Sequence, residues 1–172
     1  MLRMLCPQIY MAAVSDLTPE FLTGRGIKGI ILDLDNTILP WKAKKLAAEE
    51  VALVKRLQEQ GFKICVVSNA RHRRVISLLE PLNIPAISLA RKPRRTPFRK
   101  ALAILGTTAS ETAVVGDQIF TDVLGGNRLG MYTILVTPVS HQEFIGTKLV
   151  RLLEKRVLKR MVRRGMLQMK YL

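Results

Sequence analysis

Short, almost continuously apolar runs alternate along this chain with segments in which apolar residues return every three or four positions. The runs Lys28–Asp33, Lys63–Ser68, Ala86–Leu89, Thr112–Gly116 and Tyr132–Val136 predict five strands, each lacking the polar alternation of a half-exposed strand. Between the first two, Ala47, Val51, Val54 and Leu57 share one helical face, and Gly61 ends that helix. Arg71–Glu80 before Pro81, Pro97–Leu105 before Gly106, and Ile119–Leu129 before Gly130 predict the next three helices. Strands alternating with helices in this way predict a doubly wound, Rossmann-like α/β fold with a parallel sheet of about five strands.

Two segments stand outside that rhythm. Residues 1–24 hold plausible starts of a short helix at Ser15–Asp16 and Thr18–Pro19–Glu20. Residues 148–172 carry nine Lys/Arg against the single acid Glu154, which is +8 of the whole chain's +15. At 100° per residue, Leu149, Val150, Leu153, Val157 and Met161 fall on one arc, and Arg151, Lys155, Arg156, Lys159 and Arg163 on the opposite one. The reading is one domain over 1–147 followed by a basic amphipathic helix or tail over 148–172.

The size, 172 residues, suits a single domain with a sizeable core, and 48% hydrophobic residues exclude a disordered chain. A net charge of +15 draws phosphate-bearing partners: nucleic acid, an anionic bilayer or a multiply charged small substrate. Cys6 and Cys65 are too few for a disulfide framework, and Cys65 lies within an apolar strand, so a reducing, cytoplasmic setting is expected. No apolar run approaches the ~18 residues of a membrane span, and no secretory signal is read. The expectation is a soluble or peripherally membrane-associated chain. His72 and His141 are isolated, which disfavours a zinc site or a Ser/His triad, and there is no glycine-rich Walker loop.

Chemistry concentrates at the predicted carboxyl ends of the strands, where open α/β sheets bind ligands. The first strand runs into Asp33-Leu34-Asp35-Asn36-Thr37. Two carboxylates so close repel each other unless a proton or a hard divalent cation such as Mg²⁺ is shared between them. The second strand ends in Ser68-Asn69, the third is followed by Arg91-Lys92-Pro93, and the fourth runs into Gly116-Asp117 with Asp122 five residues on. A hydroxyl, an ammonium and a second carboxylate pair are thus expected to converge on Asp33 and Asp35.

These four elements, in this order, resemble the motifs of the haloacid dehalogenase superfamily of aspartate-nucleophile phosphohydrolases. The stretch from Gly29 through Thr37, then Ile38-Leu39-Pro40-Trp41, is similar to the small capless subclass IIIA phosphatases related to phosphatidylglycerophosphate phosphatase. The resemblance implies Mg²⁺-dependent phosphomonoester hydrolysis through an aspartyl-phosphate. It implies Asp33 as nucleophile and Asp35 as general acid/base, with Thr37, Ser68, Asn69 and Lys92 on the phosphoryl group. Asp33, Asp35 (through its backbone carbonyl), Asp117 and Asp122 would serve the metal, Asp122 from behind.

Only 34 residues separate Asp33 from Ser68 and 23 separate Ser68 from Lys92, too few for a cap domain. An open site favours a large or surface-presented substrate. Arg71, Arg73, Arg74, Arg91, Arg94, Arg95, Arg99 and Lys100 crowd the same strand ends. A lipid phosphate of the phosphatidylglycerophosphate type, reached by a basic helix lying among anionic headgroups, joins tail and site. The alternatives are a soluble sugar or nucleotide phosphate, and a nucleic-acid or ribosome-associated binding role. The latter is weakened by an aromatic content of 5% with no aromatic row among the basic clusters.

Overall fold

A computed structural model describes residues 2–140 and 145–167, with side chains of the last helix described from residue 150. His141, the Leu149 side chain and the final residues of the basic tail therefore lie outside the described residues. The elements are β1 (Ile9–Met11), α1 (Pro19–Thr23), β2 (Gly29–Leu32), α2 (Ala48–Glu59), β3 (Lys63–Val67), α3 (His72–Leu79), β4 (Ala86–Ile87), α4 (Arg95–Leu105), β5 (Thr112–Gly116), α5 (Leu124–Asn127), β6 (Tyr132–Val136) and α6 (Ile145–Arg163).

All strand pairings are parallel, in the order β1-β6-β5-β2-β3-β4. The α/β fold expected from the alternating runs is therefore present, with six strands among the described residues rather than about five. The added strand, Ile9–Met11, lies at the edge beside β6 and pairs over three residues. At that length it carries no period that distinguishes strand from loop.

Alternate side chains of the strands feed two cores. Ile30 and Leu32 of β2 join Leu53, Val54 and Leu57 of α2 and Val75, Leu78 and Leu79 of α3 on one face. Ile31 points the other way, with Cys65, Val67 and Val114, into a core closed by Phe98, Ala101 and Leu105 of α4. Every residue of β2 is buried, which is why the run shows no polar alternation. The paired glycines of α5 are packing devices. A Cβ on Gly125 would lie 2.3 Å from the Phe98 ring, and one on Gly126 2.5 Å from the Thr133 methyl.

The predicted start of a short helix at Thr18 is realised, its hydroxyl accepting from the Phe21 amide ahead of Pro19. The segment Ile119–Leu129 begins instead with one π-helical turn over Ile119–Val123, followed by α5. α6 packs Val157 and Leu158 against Ile119, Val123 and Leu135, with Met161 fully buried. Its rotation differs from the plain hydrophobic arc. Leu153 is 46% exposed and Leu152 58%, whereas Arg151 turns inward beside the buried Glu154. Glu154 accepts from the Phe120 amide at 3.2 Å and from Arg151 at 2.9 Å, and satisfying that buried acid sets which face of α6 meets the body.

Burial pushes the Cys65 thiol up to about 12, which leaves roughly one part in ten thousand as reactive thiolate at pH 8. With Cys6 only half-buried, the native protein should titrate at most one thiol with Ellman's reagent at that pH, the second appearing only in denaturant. Two rapid equivalents from native protein would contradict this packing.

Candidate active site

The sheet's order reverses at β2: the chain steps outward through β3 and β4, then returns to β5 on the other side. The carboxyl ends of β2 and β5 therefore open on a common crevice, where ligands of such sheets bind. Leu32 pairs with Val115, and the Asp33 amide donates to the Val115 carbonyl at 2.9 Å, so Asp33 and Asp117 leave neighbouring strands side by side.

After Asp35 the chain turns sharply at Asn36, which has φ of 62°, a left-handed conformation that Asn tolerates. The Asn36 side-chain oxygen accepts from the Trp41 amide at 3.2 Å and from the Ser140 hydroxyl at 3.1 Å, tying the turn down. The turn brings fully buried Thr37 back under the site. Its hydroxyl lies 3.1 Å from Asp33 Oδ2 and 3.3 Å from Asp117 Oδ1 and shares one proton between them.

Lys92 enters from the other side. Its ammonium donates to Asp33 Oδ1 at 2.5 Å and to Asp122 Oδ1 at 2.6 Å, with the side chain only 3% exposed. The loop bearing it is laced to the end of β3. Leu89 and Ala90 donate their amides to the carbonyls of Ala70 and Ser68, and the Lys92 amide donates to Asn69 Oδ1 at 2.9 Å. Asn69 thus positions the lysine through its side chain. Ser68 Oγ accepts from the Ala70 amide at 3.1 Å, a bond that does not use its hydroxyl proton.

Asp122 reaches the cluster because residue 116 is glycine: a Cβ there would lie 2.3 Å from the Asp122 carboxyl carbon. Its second oxygen accepts from the Gln118 amide and the Thr121 hydroxyl, both at 3.2 Å. Asp33, Thr37, Lys92, Asp117 and Asp122 therefore form one buried network. Asp33, Asp35, Ser68, Asn69, Lys92, Gln118 and Thr121 line a small cleft of about 70 Å³.

Asp35 stands apart from that network. Its Oδ1 accepts from Arg74 Nη2 at 2.6 Å, and Arg74 also donates to the carbonyls of Trp41 and Ala43. Burial raises the Asp35 pKa against the opposing pull of Arg74, which favours the protonated form that a general acid needs. The sequence pattern placed Arg74 only in a basic cluster. Its partnership with Asp35 is a contact between two elements, β2's outgoing loop and α3.

Desolvation dominates the electrostatics. It pushes Asp122 up to about 6 despite Lys92, and raises Asp117 with help from the Asp33 charge and against Arg151. Burial alone would lower Lys92, but Asp122 and Asp33 outweigh it and hold the ammonium above its ordinary range. Among the described residues, Asp33, Asp117 and Asp122 bring carboxylate oxygens within 4.8 Å of one another; the Asp35 carboxyl is not in that group. Three acids face two cations, Lys92 and Arg151. The charge left over is negative and every available donor is a hard oxygen, so these residues fit a divalent cation.

Arg151 and Glu154 are the site-bordering residues the sequence pattern missed. Arg151 donates to both the Asp117 carboxylate and its backbone carbonyl, and to Glu154. A lone acid three residues after an arginine, within an otherwise basic helix, was the available signal.

Known proteins share this architecture. A family model described as haloacid dehalogenase-like hydrolase matches residues 30–90, and one described as HAD-hydrolase-like matches residues 89–143. The chain is 40% identical over 162 residues to "Probable phosphatase YqeG" of Bacillus subtilis, covering 94% of each. It is 31% identical to the chloroplastic/mitochondrial phosphatidylglycerophosphate phosphatase 1 of Arabidopsis thaliana, over 86% of this chain but 45% of that one. Among solved structures, the cobalt-bound deoxy-D-mannose-octulosonate 8-phosphate phosphatase of Haemophilus influenzae superposes with a TM-score of 0.56 at 16% identity, over 78% of this chain and 89% of that one. That last likeness is one of fold.

Removing Lys92 leaves its carboxylate partners buried without it. Lys92→Met should cost about 3–5 kcal/mol of unfolding free energy at pH 7. Asp122 already binds its proton more tightly folded than unfolded, and more so without the lysine. Acid therefore favours the folded variant, and the deficit should shrink as pH falls through 6 towards 5. Urea unfolding of both proteins at pH 7 and pH 5 checks this; a deficit that grows in acid would refute it.

Proposed function

This chain belongs to the haloacid dehalogenase-like hydrolase family and is a phosphatase of that family; we propose that it is a Mg²⁺-dependent phosphomonoesterase acting on a phosphatidylglycerophosphate-type lipid phosphate. The observation that carries the chemistry is the buried Asp33 carboxylate, neutralised by Lys92 and close to Asp117, in a cleft that Asp35 also lines.

Asp33 attacks phosphorus, the bond to the leaving oxygen breaks, and Asp35 gives that oxygen its proton. The ionised Asp35 then takes a proton from the water that cleaves the aspartyl-phosphate, releasing inorganic phosphate and restoring both acids. Lys92 and the Ser68 hydroxyl neutralise and orient the transferring group, Thr37 steadies Asp33, and Asn69 holds the lysine loop in place. Asp33, Asp117 and the Asp35 backbone carbonyl would hold Mg²⁺, with Asp122 fixing the arrangement from behind. When bound, the ion supplies Lewis-acid stabilisation of charge on the phosphoryl oxygens.

Three observations support the lipid substrate. The plant relative bears that activity in its name. The segment from Asp33 to Ser68 is occupied by a short loop of turns, α2 and β3, so no cap domain lies within it. The outer face of α6 combines Lys155, Arg156, Lys159, Arg160 and Arg163 with exposed Leu152, Leu153 and Val162, a surface matched to anionic headgroups. Among the described residues, no helix is long and apolar enough to cross a membrane.

Phosphate release from phosphatidylglycerophosphate in mixed micelles tests the reading, with a sugar phosphate and a nucleotide as soluble controls. Turnover should require Mg²⁺, fall to the background rate in Asp33→Asn, and drop about 10²–10⁴-fold in Asp35→Asn. Hydrolysis of the soluble phosphates alone would refute the lipid substrate while leaving Asp33 as nucleophile. Sedimentation with anionic vesicles should be lost in Lys155→Glu/Arg156→Glu/Lys159→Glu; retention would refute the role of α6.

A further inference from the structure

Among the described residues, the last helix reaches the site through the Arg151 side chain. Arg151, 15% exposed, grips the fully buried Asp117 carboxylate and the Asp117 carbonyl, and also donates to Glu154 at 2.9 Å on the same helix. Glu154 in turn accepts the Phe120 amide, so the turn following Asp117 and the middle of α6 are clasped together at two points. The remaining oxygen of Asp117 faces the Thr37 hydroxyl.

Both carboxylate oxygens of Asp117 are thus engaged, and the two donors differ. Thr37 can rotate its hydroxyl and present a lone pair. A guanidinium has no acceptor atom and does not lose its charge. A divalent cation taken up by Asp33 and Asp117 must share Asp117 with a fixed positive charge in direct contact, in a site with little water to screen the repulsion.

We infer that Arg151 is a positioning residue that holds Asp117 in the metal-free protein and yields it when a divalent cation binds, so that metal occupancy loosens the docking of the middle of α6 around Arg151. The inference rests on the metal site proposed above. Linkage makes the coupling reciprocal: Arg151 weakens the metal by the same factor by which the metal weakens the clasp. Val157, Leu158 and Met161 keep the second half of the helix on the body, so the movement is confined to the turns around Arg151. Those turns carry the exposed Leu152 and Leu153 and the neighbouring Lys155 and Arg156. Filling the metal site would therefore free the part of α6 best suited to an anionic surface.

Calorimetric titration of the full chain with Mg²⁺ alone tests this without substrate, in wild type, Arg151→Gln and Arg151→Lys. Arg151→Gln should bind Mg²⁺ about 5-fold or more tightly, and Arg151→Lys, which keeps the charge, should stay near wild type. In parallel, hydrogen exchange of wild-type amides 150–156 should quicken on Mg²⁺ saturation while amides 157–163 hold. That second measurement needs no variant to fold. Equal or weaker Mg²⁺ binding by Arg151→Gln, or wild-type exchange indifferent to Mg²⁺, overturns the inference while the metal site stands. Failure of wild type and both variants to bind Mg²⁺ overturns both.

Discussion

Three carboxylates cannot be buried within 4.8 Å of one another unless something positive is buried with them. In this protein the compensating charge is first the Lys92 ammonium, which bridges Asp33 and Asp122 with both acids nearly out of contact with water. Much of the local architecture serves that bridge. Asn69 and the carbonyls of Ser68 and Ala70 brace the lysine loop, Gly116 leaves room for Asp122, and the switch in strand order sets Asp33 beside Asp117. The energy that burial withdraws from these charges is returned only when the whole set is present, so the site is an all-or-none construction.

The same constraint explains how the terminal helix relates to the rest. A basic helix on a strongly basic protein has little electrostatic reason to dock, and its apolar contacts around Val157 and Leu158 are modest. Glu154 and Arg151 supply the missing specificity by joining the carboxylate network from outside. The cost is that one of the site's anions is spoken for by the scaffold.

Legibility followed the range of the interactions. Thr112–Gly116 and Tyr132–Val136 are strands with the bounds their apolar runs indicate, because burial on both faces leaves a local mark at every position. Asp33, Thr37, Lys92, Asp117 and Asp122 converge as their places at successive strand ends imply, since in a parallel sheet all those ends lie on one edge. Ile9–Met11 left no comparable mark, its three residues becoming a strand only because β6 offers them a free edge. Arg74 and Arg151 were two among 28 basic residues; nothing in the neighbours of Arg74 distinguishes a guanidinium that meets a carboxylate from one that meets water, and beside Arg151 only the lone acid Glu154 marks the place.

By itself the sequence determined the alternation that builds a doubly wound sheet, and the order in which acid, hydroxyl, ammonium and acid reach its edge, because periodicity and chain order are local properties. Tertiary structure alone decided which cation holds which carboxylate. Lys92 is shared between Asp33 and Asp122, Arg74 holds Asp35 and Arg151 holds Asp117. It also decided which face of α6 turns inward, since the burial of Glu154 outweighs a plain hydrophobic arc. Those choices depend on distances between elements far apart in the chain, and on the desolvation that burial imposes there, neither of which is written in the spacing of residues.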